Sequence, residues 1–249
     1  MTRADAEPVA PPAWTPADAL ERLRVIVLAG VVAGVLVGGV GGRLAMLLLR
    51  LTSPASVVGV TSDDGFEIGQ VTLGGTYNLL LVGAGFGVLG AALHGLVAPW
   101  LIGPRWFRHL TVALGSGAVV GGMLVHTDGV DFTSLEPTWL AIALFVAIPA
   151  LFGGLVGLVL ERFARDGTWS STGWRRRALP LAAVACFPLV AFPVIVVGAV
   201  LLAWSPLRAR GAAARVHASR PARTVVRGAW LLVAVIGLTG LLGDVQTLT

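Results

Sequence analysis

Six apolar stretches, each at or near membrane-spanning length, run along this chain, and they constrain it more than any motif does. They cover about 25–49, 79–102, 109–126, 139–160, 178–204 and 225–243. A helix needs ~20 apolar residues to cross the hydrocarbon core of a bilayer. The second and fourth stretches reach that length unaided, and the third and sixth reach it with their flanks. Charged residues are only 12% of the chain, about half of what wets the surface of a soluble domain. The expected fold is all-α: a polytopic transmembrane helix bundle of five or six spans, with 16–249 as one transmembrane domain. Residues 1–15, rich in Pro and Ala, read as a disordered cytoplasmic tail. Its acids, Asp5 and Glu7, do not suit a signal peptide. Thr15 followed by Pro16 is a helix N-cap and first-turn pair, so the first helix should begin there.

The arginines orient the bundle. Arg3, Arg22 and Arg24 precede the first span, Arg105 and Arg108 follow the second, and Arg162, Arg165, Arg175, Arg176 and Arg177 follow the fourth. The alternate loops are acidic, with Asp63, Asp64 and Glu67 in 51–78 and Asp128, Asp131 and Glu136 in 126–138. Cytoplasmic loops carry the basic excess. The expected location is therefore the cytoplasmic (inner) membrane, with the N-terminus cytoplasmic and both acidic loops outside. The composition is like that of small bacterial inner-membrane proteins.

The fifth stretch breaks this alternation. If it crosses once, Arg208, Arg210, Arg215, Arg220, Arg223 and Arg227 all lie outside. If it enters and leaves on the cytoplasmic side, only Arg43 and Arg50 remain outside, and so does the tail GDVQTLT. Pro188 and Pro193 sit where a re-entrant pair would turn. The other reading is one long, tilted, proline-kinked helix, which membranes tolerate.

Glycine spacing is the clearest regularity inside the spans. Gly30, Gly34, Gly38 and Gly42 recur every four residues, followed by the pairs Gly83 and Gly87, Gly117 and Gly121, and Gly153 and Gly157. Small residues on one stripe let helix backbones touch where lipid supplies no hydrophobic drive. Packing within the bundle is the first reading, and an oligomer interface the second. A weak resemblance between the first and second pairs of spans also suggests two parallel hairpin repeats, through FGVLGAAL at 86–93 and FGGLVGLVL at 152–160.

Arg43 interrupts the first span near its outer end. A charge deep in the bilayer costs ~2.5–3.5 kcal/mol, so Arg43 is expected in a structural or gating ion pair with Asp63, Asp64, Glu67 or Asp131. Between the first two spans, the Val-rich runs around Asp63-Asp64-Gly65 read as a small extracytoplasmic β-hairpin.

Chemistry is constrained mainly by what is missing. All 18 basic residues are Arg, which removes lysine Schiff bases and P-loop lysines. The single cysteine, Cys186, removes internal disulfides and CxxC sites. No catalytic set, cofactor motif or metal-ligand spacing stands out. His94 lies inside the second span with no partner histidine evident at its depth, and no acid falls within an apolar stretch. Proton-coupled transport normally uses an intramembrane carboxylate.

The partners implied are the lipid bilayer, anionic lipid headgroups at the Arg-rich cytoplasmic loops, and a second copy or a partner membrane protein. Nucleic acid is not among them. The expected role is a non-enzymatic structural or accessory subunit of a membrane complex, and the alternative is a small channel or carrier for a solute or anion.

Overall fold

The computed structural model describes residues 15–62, 65, 67–165, 167, 170–209, 215–216 and 219–248. The tail at 1–14 and the pair Asp63 and Asp64 therefore lie outside the described residues.

The first helix starts where the sequence places its cap. The Thr15 side chain accepts from the Asp18 backbone, the Asp18 carboxylate accepts from the Thr15 backbone, and Pro16 opens the first turn. From there α1 (Pro16–Ala33), a π-helical segment (Gly34–Gly41) and α2 (Gly42–Thr52) run as one continuous helical rod. At ~1.5 Å per residue such a rod is about 55 Å long, longer than the ~30 Å hydrocarbon core. Its acidic first turns therefore have room to stand outside the hydrocarbon.

The remaining elements are α3 (Leu73–Val97), α4 (Arg105–Leu124), the short α5 (Val130–Thr133), α6 (Thr138–Phe163), α7 (Arg175–Cys186), α8 (Ala191–Ala209) and α9 (Arg220–Leu248). Five helical runs are long and apolar enough to cross a membrane: Pro16–Thr52, Leu73–Trp100, Thr138–Phe163, Pro188–Pro206 and Arg220–Leu248. These runs are compatible with a multi-pass integral membrane protein. Helix α4 is not among them. Arg105, Arg108 and His109 in its first turns lower its mean hydropathy, although it lies along most of α6.

Two apolar clusters occupy opposite ends of the bundle. Ile26, Val27, Val31, Ala84, Val88, Ala91, Val156, Val190 and Val197 fill the half near the start of α1. Leu49, Val57, Val125, Phe132, Leu135, Ala141, Ile142 and Leu241 close the far end. Ser53 clips the two far-end loops together: its Oγ donates to the Glu136 carbonyl at 3.1 Å and lies 2.9 Å from the Glu136 N–H.

Helices α7 and α8 run in opposite senses along α1, joined at a 3-10 turn (Pro188–Val190). At the start of α7, Arg176 Nε donates to Glu21 Oε2 at 2.8 Å. At its end, the Cys186 carbonyl accepts from Tyr77 Oη at 2.9 Å, beside the first turns of α3. The chain then breaks at Phe187, whose φ of −128° and ψ of 79° are non-helical, as expected for a residue forced out of the α region by a following proline. Leu189 packs against Gly85, and further along α8 Gly198 faces Leu23, close to Glu21. The pair thus starts beside the first turns of α1 and comes back to them at Gly198, midway along α8. Pro193 lies in the first turn of α8, where its missing N–H costs nothing. Helix α9 runs the other way along the bundle, from Arg227, whose Nε donates to the Trp100 carbonyl at 3.0 Å, to Leu241 in the far cluster.

The expected β-hairpin between the first two spans is not borne out. Among the described residues the segment holds no strand, only one isolated antiparallel bridge between Thr61 and Glu67. A 3-10 turn at Ala55–Val57 and positive-φ glycines at Gly59 (87°) and Gly69 (89°) end both arms after about two residues. The Val-rich runs are too short between these turns to build a ladder. Two backbone bonds remain, from Gly59 N to Ile68 O and from Ile68 N to Val60 O.

Candidate functional site

At mid-bundle, backbone meets backbone. A Cβ placed on Gly30 would lie 2.5 Å from Val88 Cα, and one on Gly83 would lie 2.6 Å from the Gly34 carbonyl oxygen. A Cβ on Gly38 would lie 3.2 Å from Gly83 Cα, and Gly87 crowds Gly34 in the same way at 2.8 Å. A Cβ on Gly42, by contrast, would make ordinary contact with the Leu79 side chain at 3.4 Å. The π-helical turns coincide with this crossing, and a run of glycines without side chains to reposition tolerates such widening. On the α4–α6 contact, a Cβ on Gly117 would lie 3.0 Å from the Ala150 Cβ, one on Gly121 2.9 Å from Val146 Cγ2, and one on Gly153 2.8 Å from the Val112 carbonyl oxygen. Ser116 Oγ lies 2.7 Å from the Val112 carbonyl and 2.8 Å from the Pro149 carbonyl, so its one proton serves one oxygen at a time.

Polar side chains collect at the ends. Arg43 Nε donates to Thr76 Oγ1 at 3.1 Å, and a terminal nitrogen lies 3.5 Å from the Thr72 carbonyl, so Arg43 sits on the first turn of α3. Of the acids expected near it, Glu67 accepts a hydrogen bond from Gln70, Asp131 is 7% exposed within α5, and Asp63 and Asp64 are outside the described residues. Arg50 packs against Gly69. His126 bonds its own Leu124 carbonyl and stacks edge-on against Phe132.

The sequence reading missed two arrangements. The first is Arg24, which is 4% exposed. It binds Glu21 through Nε at 2.9 Å, both oxygens of Ser170 at 3.1 and 3.2 Å, and the Phe163 carbonyl at 3.3 Å. It is the buried pin between α1 and the α6–α7 loop.

The second is a cavity of about 290 Å³ lined by His94, Ala98, Leu101, Arg105, Arg108, His109 and Glu161. His94 does have a partner histidine at its depth. A Cβ on Gly157 would meet His109 Nδ1 at 2.6 Å and His94 Cε1 at 2.8 Å, so both rings crowd the same glycine. Glu161 pairs with Arg105, and its other oxygen lies 3.3 Å from His109 Nε2. That contact is close enough for an ion pair, but it lacks hydrogen-bond alignment. His94 Nδ1 and both nitrogens of His109 are buried without a hydrogen-bond partner. The His109–Arg105 spacing of four residues and the Glu161–Gly157 spacing of four were visible in the sequence. Their meeting with His94 on a third helix was not. Among the described residues, no three His, Cys, Asp or Glu are placed to hold a metal ion.

No protein-family model matches the chain. Neither a curated protein nor a solved structure matches it.

Proposed function

We propose that the chain is a structural or accessory subunit of a membrane complex, without a reaction of its own. It would sit in a bacterial inner membrane with its N-terminus in the cytoplasm, the 51–78 and 126–138 loops outside, and α7–α8 as a re-entrant pair on the cytoplasmic side. The return of α8 to Leu23 supports that last assignment, and so does the arginine distribution. On this reading the Arg-rich segment after α8 would lie on the side of Glu21 and Arg24.

One observation carries the structural reading. The middle of the bundle is filled by glycine backbone at the crossing of Gly30, Gly34 and Gly38 with Gly83 and Gly87. Transport sites near the midplane normally present polar or charged groups to a cavity. Here the buried titratable groups lie toward the two ends instead, with Arg24, His94 and His109 at one and Asp131 at the other. The glycine stripes act as packing surfaces, gaining van der Waals contact where lipid gives no hydrophobic drive. The test is purification from the native membrane in mild detergent. A membrane protein co-purifying in fixed stoichiometry supports the reading, and a homo-oligomer that moves solute across liposomes overturns it.

The second reading, a small channel or carrier for a solute or anion, is favoured by the cavity at His94, His109 and Glu161 and by the proline break at Phe187. Solute flux in liposomes would select it.

A further inference from the structure

We propose that the cavity between the end of α3, the start of α4 and the end of α6 binds an anionic phosphate group. Two guanidinium groups, Arg105 and Arg108, face a single carboxylate, Glu161, around a space of about 290 Å³. Arg108 uses its Nε on the Gly103 carbonyl at 2.9 Å. Its terminal nitrogens make no further hydrogen bond among the described residues. The guanidinium fork matches the oxygens of a phosphate. Deeper in, the buried nitrogens of His94 and His109 have no hydrogen-bond partner. An uncompensated buried polar atom is costly, and an imidazole N–H turned to a phosphate oxygen would relieve that cost.

The wall is apolar at Ala98 and Leu101, and the mouth is open at Arg105, 59% exposed. Trp106 and Phe107 stand exposed in the same turn, in an edge-to-face pair. Such aromatics favour the membrane–water interface, which puts the cavity mouth at the depth of lipid headgroups. The phosphate is therefore either that of an anionic lipid headgroup or a free phosphate reaching the same mouth from water. The cavity is the one that favours the carrier reading, but phosphate binding does not rest on that reading, since a structural subunit could hold the group as well. Glu161 sets the polarity of the test. It competes with phosphate for Arg105, so neutralising it should strengthen anion binding, whereas a cation site would be weakened.

The experiment uses the full chain in detergent micelles and reads the thermal midpoint during titration with three probes: phosphatidylglycerol, phosphatidylcholine and inorganic phosphate. Native mass spectrometry counts retained lipid. We expect saturable stabilisation by an anionic phosphate probe, weakened at least about tenfold, or ~1.4 kcal/mol, by combined Arg105→Gln and Arg108→Gln. Combined Arg220→Gln and Arg223→Gln should leave it unchanged. Glu161→Gln should tighten it severalfold. Stabilisation by phosphatidylglycerol alone identifies a lipid headgroup, and stabilisation by inorganic phosphate identifies a soluble ligand. No stabilisation by either probe overturns the proposal, as does equal loss in the Arg220/Arg223 variant, which would show only diffuse attraction to basic residues. If the Arg105/Arg108 variant does not fold, Glu161→Gln decides: weaker binding overturns the site and tighter binding supports it.

Discussion

The Arg24 guanidinium donates to both the backbone and the side-chain oxygen of Ser170, at 3.2 and 3.1 Å, across 146 residues of sequence. Ser170 is 1% exposed. This contact fixes where the chain goes after α6, because it holds the α6–α7 loop against the base of α1 just before α7 begins. Arg24→Ala should cost roughly 1.5–3 kcal/mol, the range for hydrogen bonds to a charged group, and should speed proteolysis between 164 and 174. Ser170→Ala should cost less, since the backbone carbonyl remains. Hydrogen exchange in that loop is the measurement. Unchanged protection in Arg24→Ala would remove the pinning role.

The glycine crossing makes a second prediction. Gly83→Ala would drive a methyl to 2.6 Å from the Gly34 carbonyl and 2.8 Å from the Gly39 nitrogen. Both neighbours are backbone and cannot swing aside. Overpacking of this kind costs about 1–3 kcal/mol. Gly115, on α4, has nothing within 4 Å of an added Cβ. Gly115→Ala should therefore be neutral or gain up to ~1 kcal/mol through helix propensity. Thermal midpoints in one detergent compare the two. Equal effects would mean that the crossing is not tight in solution.

Arg43 gives a third. Its bond to Thr76 ties the end of the first rod to the start of α3. Arg43→Gln should loosen the 56–74 segment to protease more than it lowers the thermal midpoint, because the glycine contacts below it are untouched. Thr76→Val should reproduce part of the effect. If an ion pair with Asp64 also contributes, Arg43→Gln and Asp64→Asn will be non-additive in a double-mutant cycle. Additive effects would leave Thr76 and Thr72 as the partners that hold Arg43.

What could be read from the sequence, and what could not, follows from the range of each interaction. The spans were legible because apolar length is a local property, and the Thr15 cap because its bonds reach only to Asp18. The periodic glycines marked a contact face, but which helices share it depends on topology. The β-hairpin expected around Asp63-Asp64-Gly65 does not form, because β-rich composition does not reveal the turns at Gly59 and Gly69 that cut both arms short. Nothing local to His94 announced His109 or Glu161, which come from two other helices. Glu161 stood just beyond an apolar stretch and so looked like a loop acid, yet α6 continues through it to Phe163. Arg24 was read for its charge alone, whereas its burial depends on a loop that arrives only after the fourth span.

The most direct test of the account is the side on which the Arg-rich segment lies relative to the end of the chain. In a Cys186→Ala background, single cysteines replace Arg176, Arg215 or Asp244 in intact cells, and an impermeant thiol reagent is added outside. The doubling back of α7 and α8, with α9 then traversing the bundle, predicts protection at Arg176 and Arg215 and labelling at Asp244. Labelling at Arg215 with protection at Asp244 would mean that α8 crosses the membrane, and would contradict the account.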